Sequence, residues 1–115
     1  MDKRANPCVG CSPGIVVEYW YKKGSSSRGV GFVVATKEHP ASGRAYYARW
    51  LYKKPGGSWH VGKSWRKAEK RSNDSKSWVQ AYWGSQGHTG PKYVKNTQIA
   101  IQFKGSSKKY AATLK

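Results

Sequence analysis

The sequence predicts a single all-β domain, an antiparallel meander of about seven strands closed as a barrel or folded as a sandwich, behind a short irregular arm over residues 1–13. Three observations carry this. Strand-like segments recur at short intervals, each bounded by Gly, Ser, Pro or Asn clusters that turn the chain. Eight Tyr and six Trp stand among 115 residues, enough bulk to build a core although Leu and Ile are scarce. Residues 97–103 alternate cleanly, with Ile99, Ile101 and Phe103 on one side.

Taken in order, the arm is broken by Pro7, Gly10 and Pro13 and contains the two cysteines of the chain, Cys8 and Cys11. A C-x-x-C pair can be half of a zinc site, a redox pair or two idle thiols. Pro13-Gly14 forbids the helix that a redox pair would open, and His39, His60 and His88 are scattered rather than set at ligand spacing. Idle thiols are the simpler reading, with zinc as the alternative; no metal or other cofactor is assigned. Residues 15–22 (IVVEYWYK) form the first strand, Gly24 to Ser27 turn it, and residues 30–37 return with Val30, Phe32 and Val34 expected on one face. Residues 39–43 (HPASG) then turn the chain into its most distinctive stretch.

That stretch, Arg44 to Lys67, holds six aromatic side chains and seven cations without one carboxylate. Lys54-Pro55-Gly56-Gly57-Ser58 reads as its turn, because Pro fixes one φ and Gly supplies the positive φ that reverses a chain. A β-hairpin follows, whose alternation sends Tyr46, Trp50 and Tyr52 to one face and Arg49, Leu51 and Lys53 to the other. Residues 66–71 read either as the end of a long strand or as a single helical turn, closed by Ser72-Asn73-Asp74-Ser75. Residues 78–83 (WVQAYW) form the next strand, residues 84–91 (GSQGHTGP) the longest loop, and residues 97–103 and 110–114 the last hairpin, with Tyr110, Ala112 and Leu114 on one face.

Aromatic-Lys-Gly/Ser strings recur around Tyr21, Tyr52 and Trp83 at an offset of 31 residues. That is the length of two strands and two turns, so the repeat reflects hairpin chemistry rather than three-fold architecture. If those turns share one end of the domain, Lys22, Lys23, Lys53, Lys54 and Lys104 form one basic rim over Tyr21, Tyr52, Trp83 and Phe103.

Twenty-two Lys and Arg against five acids give a net charge of +17, a self-repulsion that a polyanionic partner relieves. Flat rings beside cations, with no acid to neutralise them, suit a surface that stacks on bases and neutralises phosphates. The expected partner is therefore nucleic acid, DNA or RNA, bound with little sequence reading for want of a helix to enter a major groove. The residues expected to carry it are Lys22, Lys23, Arg44, Arg49, Trp50, Tyr52, Lys53, Lys54, Trp59, Lys63, Trp65, Arg66 and Lys67. The alternative is a small virion or filament subunit, a homo-oligomer whose basic face meets packaged nucleic acid or an acidic partner.

Catalysis finds no support. Residues 57–64 (GSWHVGKS) match the letters of a phosphate-binding loop, but the preceding strand is rich in Tyr and Arg and no acid ends an apolar strand to hold magnesium. Five scattered acids and three scattered histidines make no acid–base constellation, and Glu18 is expected to pair with Arg49 across the sheet. No apolar run approaches the ~18 residues of a membrane helix, and no signal peptide is visible, so a cytoplasmic or virion-associated location without a membrane partner is expected.

Overall fold

A computed structural model describes residues 2–6, 13–84, 88 and 90–115, so Cys8 and Cys11 and residues 85–87 and 89 of the 84–91 loop lie outside the described residues. Ten strands and no helix are found among the described residues: β1 (Asp2–Ala5), β2 (Gly14–Trp20), β3 (Ser27–Glu38), β4 (Tyr47–Lys53), β5 (His60–Lys67), β6 (Glu69–Ser72), β7 (Ser77–Gly84), β8 (Lys92–Val94), β9 (Gln98–Phe103) and β10 (Tyr110–Thr113). All pairings are antiparallel. Sheet A runs β1-β2-β3-β7-β6, with β8 pairing the start of β3; sheet B runs β10-β9-β4-β5. Among the described residues both sheets are open and no barrel closes.

One hydrophobic cluster joins the inward faces of the two sheets. Ile15, Val17 and Tyr19 of β2, Val33 and Ala35 of β3, and Val79, Ala81 and Trp83 of β7 come from sheet A. Ala48 and Trp50 of β4, Ile99, Ile101 and Phe103 of β9, and Ala112 and Leu114 from the β10 segment come from sheet B. The alternation of residues 97–103 and 110–114 is thus realised as expected, with Tyr110 packed at the margin of the cluster.

The local chemistry of the turns does what the residues imply. Pro55 and Gly56 (φ 75°) stand at the centre of a turn closed by the Gly57 amide donating to the Lys54 carbonyl at 2.8 Å. Asn73 Oδ1 accepts from the amides of Ser75 and Lys76.

Two expectations are corrected, and one open alternative is decided. The arm is not wholly irregular: Asp2–Ala5 pairs antiparallel with β2. On β3, Val30 is buried with Val33 and Ala35, while Phe32 and Val34 face outward. The cause is a bulge, for Glu18 pairs with Phe32 but Tyr19 with Val30, so Gly31 is an extra residue that reverses the alternation beyond it. Of the two readings of residues 66–71, the end of a long strand is the one found, and the helical turn is not. These residues belong to one long run that pairs with β4 as far as Lys67 and, after Ala68, with β7, so the chain passes from sheet B to sheet A at a single buried alanine. The Ala68 amide donates to the Tyr46 carbonyl at 2.8 Å and pins the corner.

Candidate nucleic-acid interface

The fold sorts charge. Residues 39–68 and 95–115, which build sheet B and its connections, contain twelve Lys and Arg and no acid, whereas all five acids lie in the remainder with ten cations. The four acids on or beside sheet A strands are each paired: Glu18 with Arg4 at 2.6 Å, Glu69 with Arg71 at 2.7 Å, Glu38 with His39 at 3.9 Å, and Asp2 with His88. Glu18 therefore takes Arg4 from the neighbouring strand β1, not Arg49. Arg49 lies on the other sheet.

On the outward face of sheet B, rings and cations interleave. Lys104 Nζ stands 5.7 Å from the Tyr47 ring centre, and Tyr47 is 38% exposed. Arg49 lies 4.5 Å from the Trp65 ring centre while its Nε and Nη2 donate to Gln102 Oε1 at 3.0 and 2.8 Å. Gln102 is itself held, donating to the Ser106 carbonyl at 2.9 Å, so the guanidinium is tethered over the indole. Lys67 pairs across from Tyr47, and Val61, 48% exposed, across from Leu51.

At the Ala68 corner this face runs into a cleft of about 600 Å³ lined by Gly43, Arg44, Ala45, Tyr46, Lys67, Ala68, Glu69, Lys70 and Val79. Its floor is apolar and buried (Tyr46, Ala68, Val79), and its walls carry three cations. Arg44 leans over the Tyr46 ring at 5.1 Å, and the Tyr46 hydroxyl accepts the Ala41 amide at 2.8 Å. A second cleft of about 390 Å³ opens beside it between Arg66, Lys67, Glu69, Gln80, Ala81 and Tyr82, with Arg66 donating to the Tyr82 carbonyl.

The expected site residues separate into groups. Arg44, Arg66 and Lys67 gather at the corner, while Trp65 lies on the sheet face with Arg49 over its ring. Trp50 is only 2% exposed and belongs to the core, so the expectation that it stacks on bases is corrected. Its ring covers Gly62, where a Cβ would overlap it, and meets Tyr93 edge-on at 6.4 Å. Tyr52 is likewise engaged, by Tyr93 at 4.8 Å and by its exposed cross-strand partner His60 at 5.4 Å, and packs against the core. The hairpin's alternation is as expected, but its Tyr46-Trp50-Tyr52 face is the inner one. Lys63 is exposed and lines a smaller opening with Trp50 and Trp83. Trp59 is half-buried in the β4–β5 connection.

The basic rim divides between two ends. Lys22 and Lys23 precede Ser26, whose carbonyl accepts the Lys95 amide, and Lys53 and Lys54 follow Tyr52, which packs on Tyr93 of β8, so these turns share one end. Lys104 sits at the other, its amide donating to the Tyr47 carbonyl at the start of β4. Trp83 and Phe103, expected beneath the rim, are core residues. Sequence reasoning missed Tyr47, Lys70 and the corner position of Lys104, because the only available signal was alternation, which says which residues share a face but not which face is outside.

Burial, together with the neighbouring Tyr52, pushes the Tyr93 hydroxyl up to about 12 from the ordinary 10.0. Among the described residues no helix is long and apolar enough to cross a membrane, and no group of three or more potential ligands is placed to hold a metal ion. The string from Gly57 to Ser64 forms a connection and the start of β5, with no helix after it. No protein-family model matches the chain, and neither curated proteins nor solved structures provide a match.

Proposed function

We propose that this protein is a non-enzymatic nucleic-acid-binding module whose contact surface is the outward face of sheet B and the Ala68 corner. The observation that carries the reading is the segregation of charge: twelve cations without an acid on the sheet B side, interleaved there with the accessible rings of Tyr47 and Trp65. Exposed Arg44, Arg66, Lys67, Lys70 and Lys104 neutralise phosphates, and the two rings offer flat apolar surface to bases. Sequence discrimination is low, because a sheet face with flexible lysines fixes few donors against base edges. The same surface serves DNA or RNA.

The test is a titration of a fluorescent ~20-mer by anisotropy at several salt concentrations. Five phosphates neutralised on a single strand give a slope of log K against log salt of about −3.5. Affinity flat between ~50 and ~200 mM salt contradicts the reading. Light scattering on the same samples separates it from the assembly alternative, which requires a large particle before any oligonucleotide is added.

A further inference from the structure

We propose that the corner cleft receives one unpaired nucleotide, so that the preferred ligand of this module is a single strand; this deepens the nucleic-acid reading above and rests on it. The cleft is built from three parts of the chain that meet only because of the sheet crossing. The residue 43–46 loop forms one wall, Lys67 to Lys70 another, and Val79 of β7 lies at the bottom. Its volume of about 600 Å³ lies within the range of pockets that bury a small ligand, about 300–1,000 Å³.

The lining has two chemistries in the order a nucleotide needs. Tyr46, Ala68 and Val79 are buried and make an apolar floor, a poor seat for a phosphate and a good one for a flat base. Arg44, Lys67 and Lys70 are exposed and stand around the mouth, where a backbone phosphate on either side of an inserted base would lie. The one acid, Glu69, is neutralised by Arg71 at 2.7 Å. The floor is held before any ligand arrives, by the Ala68 amide on the Tyr46 carbonyl and the Ala41 amide on the Tyr46 hydroxyl, so little ordering opposes binding.

Continuity with the sheet face sets the direction. Lys67 lines the cleft and also pairs across from Tyr47, whose ring carries Lys104, and Arg44 Nη2 lies near Gly105. A strand laid along Lys104, Tyr47 and Lys67 therefore passes the mouth of the cleft. A base in a duplex is stacked and paired and cannot enter it without being unstacked, at a cost a single strand does not bear.

The experiment compares three 20-mers at one salt concentration: a single strand, a duplex, and a single strand carrying abasic sites throughout its central third. The wild-type protein binds the first more tightly than the abasic strand by well over tenfold, about tenfold of it from the one sequestered base and the rest from stacking on Tyr47 and Trp65. Ala45→Trp, at an exposed position on the cleft wall, lowers that preference by about tenfold, leaving the share due to Tyr47 and Trp65, while its circular dichroism and melting temperature stay those of the wild type. Ala45→Leu, smaller at the same position, replaces it if Ala45→Trp fails to fold. If the filled variants keep the full wild-type preference, the cleft inference falls while the nucleic-acid reading stands; if the intact strand, the abasic strand and the duplex bind equally, the cleft inference falls and only the phosphate contacts of that reading stand. If none of the three binds, the nucleic-acid reading falls as well.

Discussion

Trp50 shows why a single ring in a basic hairpin is a poor guide to function. Its indole is buried between sheets, over Gly62, with Tyr93 at its edge, and removing it opens a cavity that the neighbouring Ile99 and Ile101 cannot fill without moving. Trp50→Ala is expected to cost about 3–5 kcal/mol of stability, read as an early urea transition. Gly62→Ala perturbs the same packing from the other side, since the added Cβ must displace the ring, at about 1–3 kcal/mol. Tyr93 offers a separate check. Its hydroxyl is harder to ionise in the folded protein than in the unfolded chain, so its share of stability is complete below pH 10 and declines as pH rises toward 12. Titration of tyrosine absorbance should show a late component near pH 12 that Tyr93→Phe removes, and a wild-type curve complete by pH 11 contradicts this burial.

The element that decides the site is the run from His60 to Ser72. It forms an edge of each sheet, and its side chains are largely exposed because each edge leaves one flank uncovered. An exposed edge invites pairing with another chain, and Lys63, Arg66, Lys67 and Lys70 guard this one by setting like charges against any second copy. The crossing depends on Ala68, whose side chain is buried and whose amide is bonded. Ala68→Pro removes that donor, leaves the Tyr46 carbonyl without it, and should cost about 1–3 kcal/mol. Because the corner is also the cleft, oligonucleotide affinity should fall in the same variant under conditions where it remains folded.

Across the whole molecule, salt acts in two opposite directions. With a net charge of +17, of which twelve cations unopposed by any acid lie on the sheet B side, the folded state repels itself, and ions screen that repulsion within a Debye length of about 10 Å at 0.1 M. The melting temperature of the free protein should therefore rise between ~20 and ~200 mM salt, while affinity for an oligonucleotide falls over the same range. Adding the oligonucleotide at low salt should raise the melting temperature, as any ligand of the folded state does. A melting temperature that is insensitive to salt would show that the cations are too dispersed to repel one another, and would weaken the case for a concentrated polyanion surface.

Much of this protein is legible without its tertiary structure. The Pro55-Gly56 turn, the Asn73 turn, the inward set Ile99, Ile101 and Phe103, and the all-β class follow from φ restrictions, side-chain acceptors and two-residue periodicity, which are local properties of the chain. The excess of cations follows from composition alone, and so does the crowding of rings and cations between Arg44 and Lys67. The sign of each face was not available locally. Alternation groups Tyr46, Trp50 and Tyr52, but only the packing of sheet A against sheet B makes that face the core and turns Tyr47 and Arg49 outward. Likewise one extra residue at Gly31 reverses Phe32 and Val34, and the passage of one strand between two sheets at Ala68 brings Arg44, Lys67 and Lys70 around one cleft. Those outcomes depend on which surfaces are removed from water together, and that is decided by contacts between residues far apart in the chain.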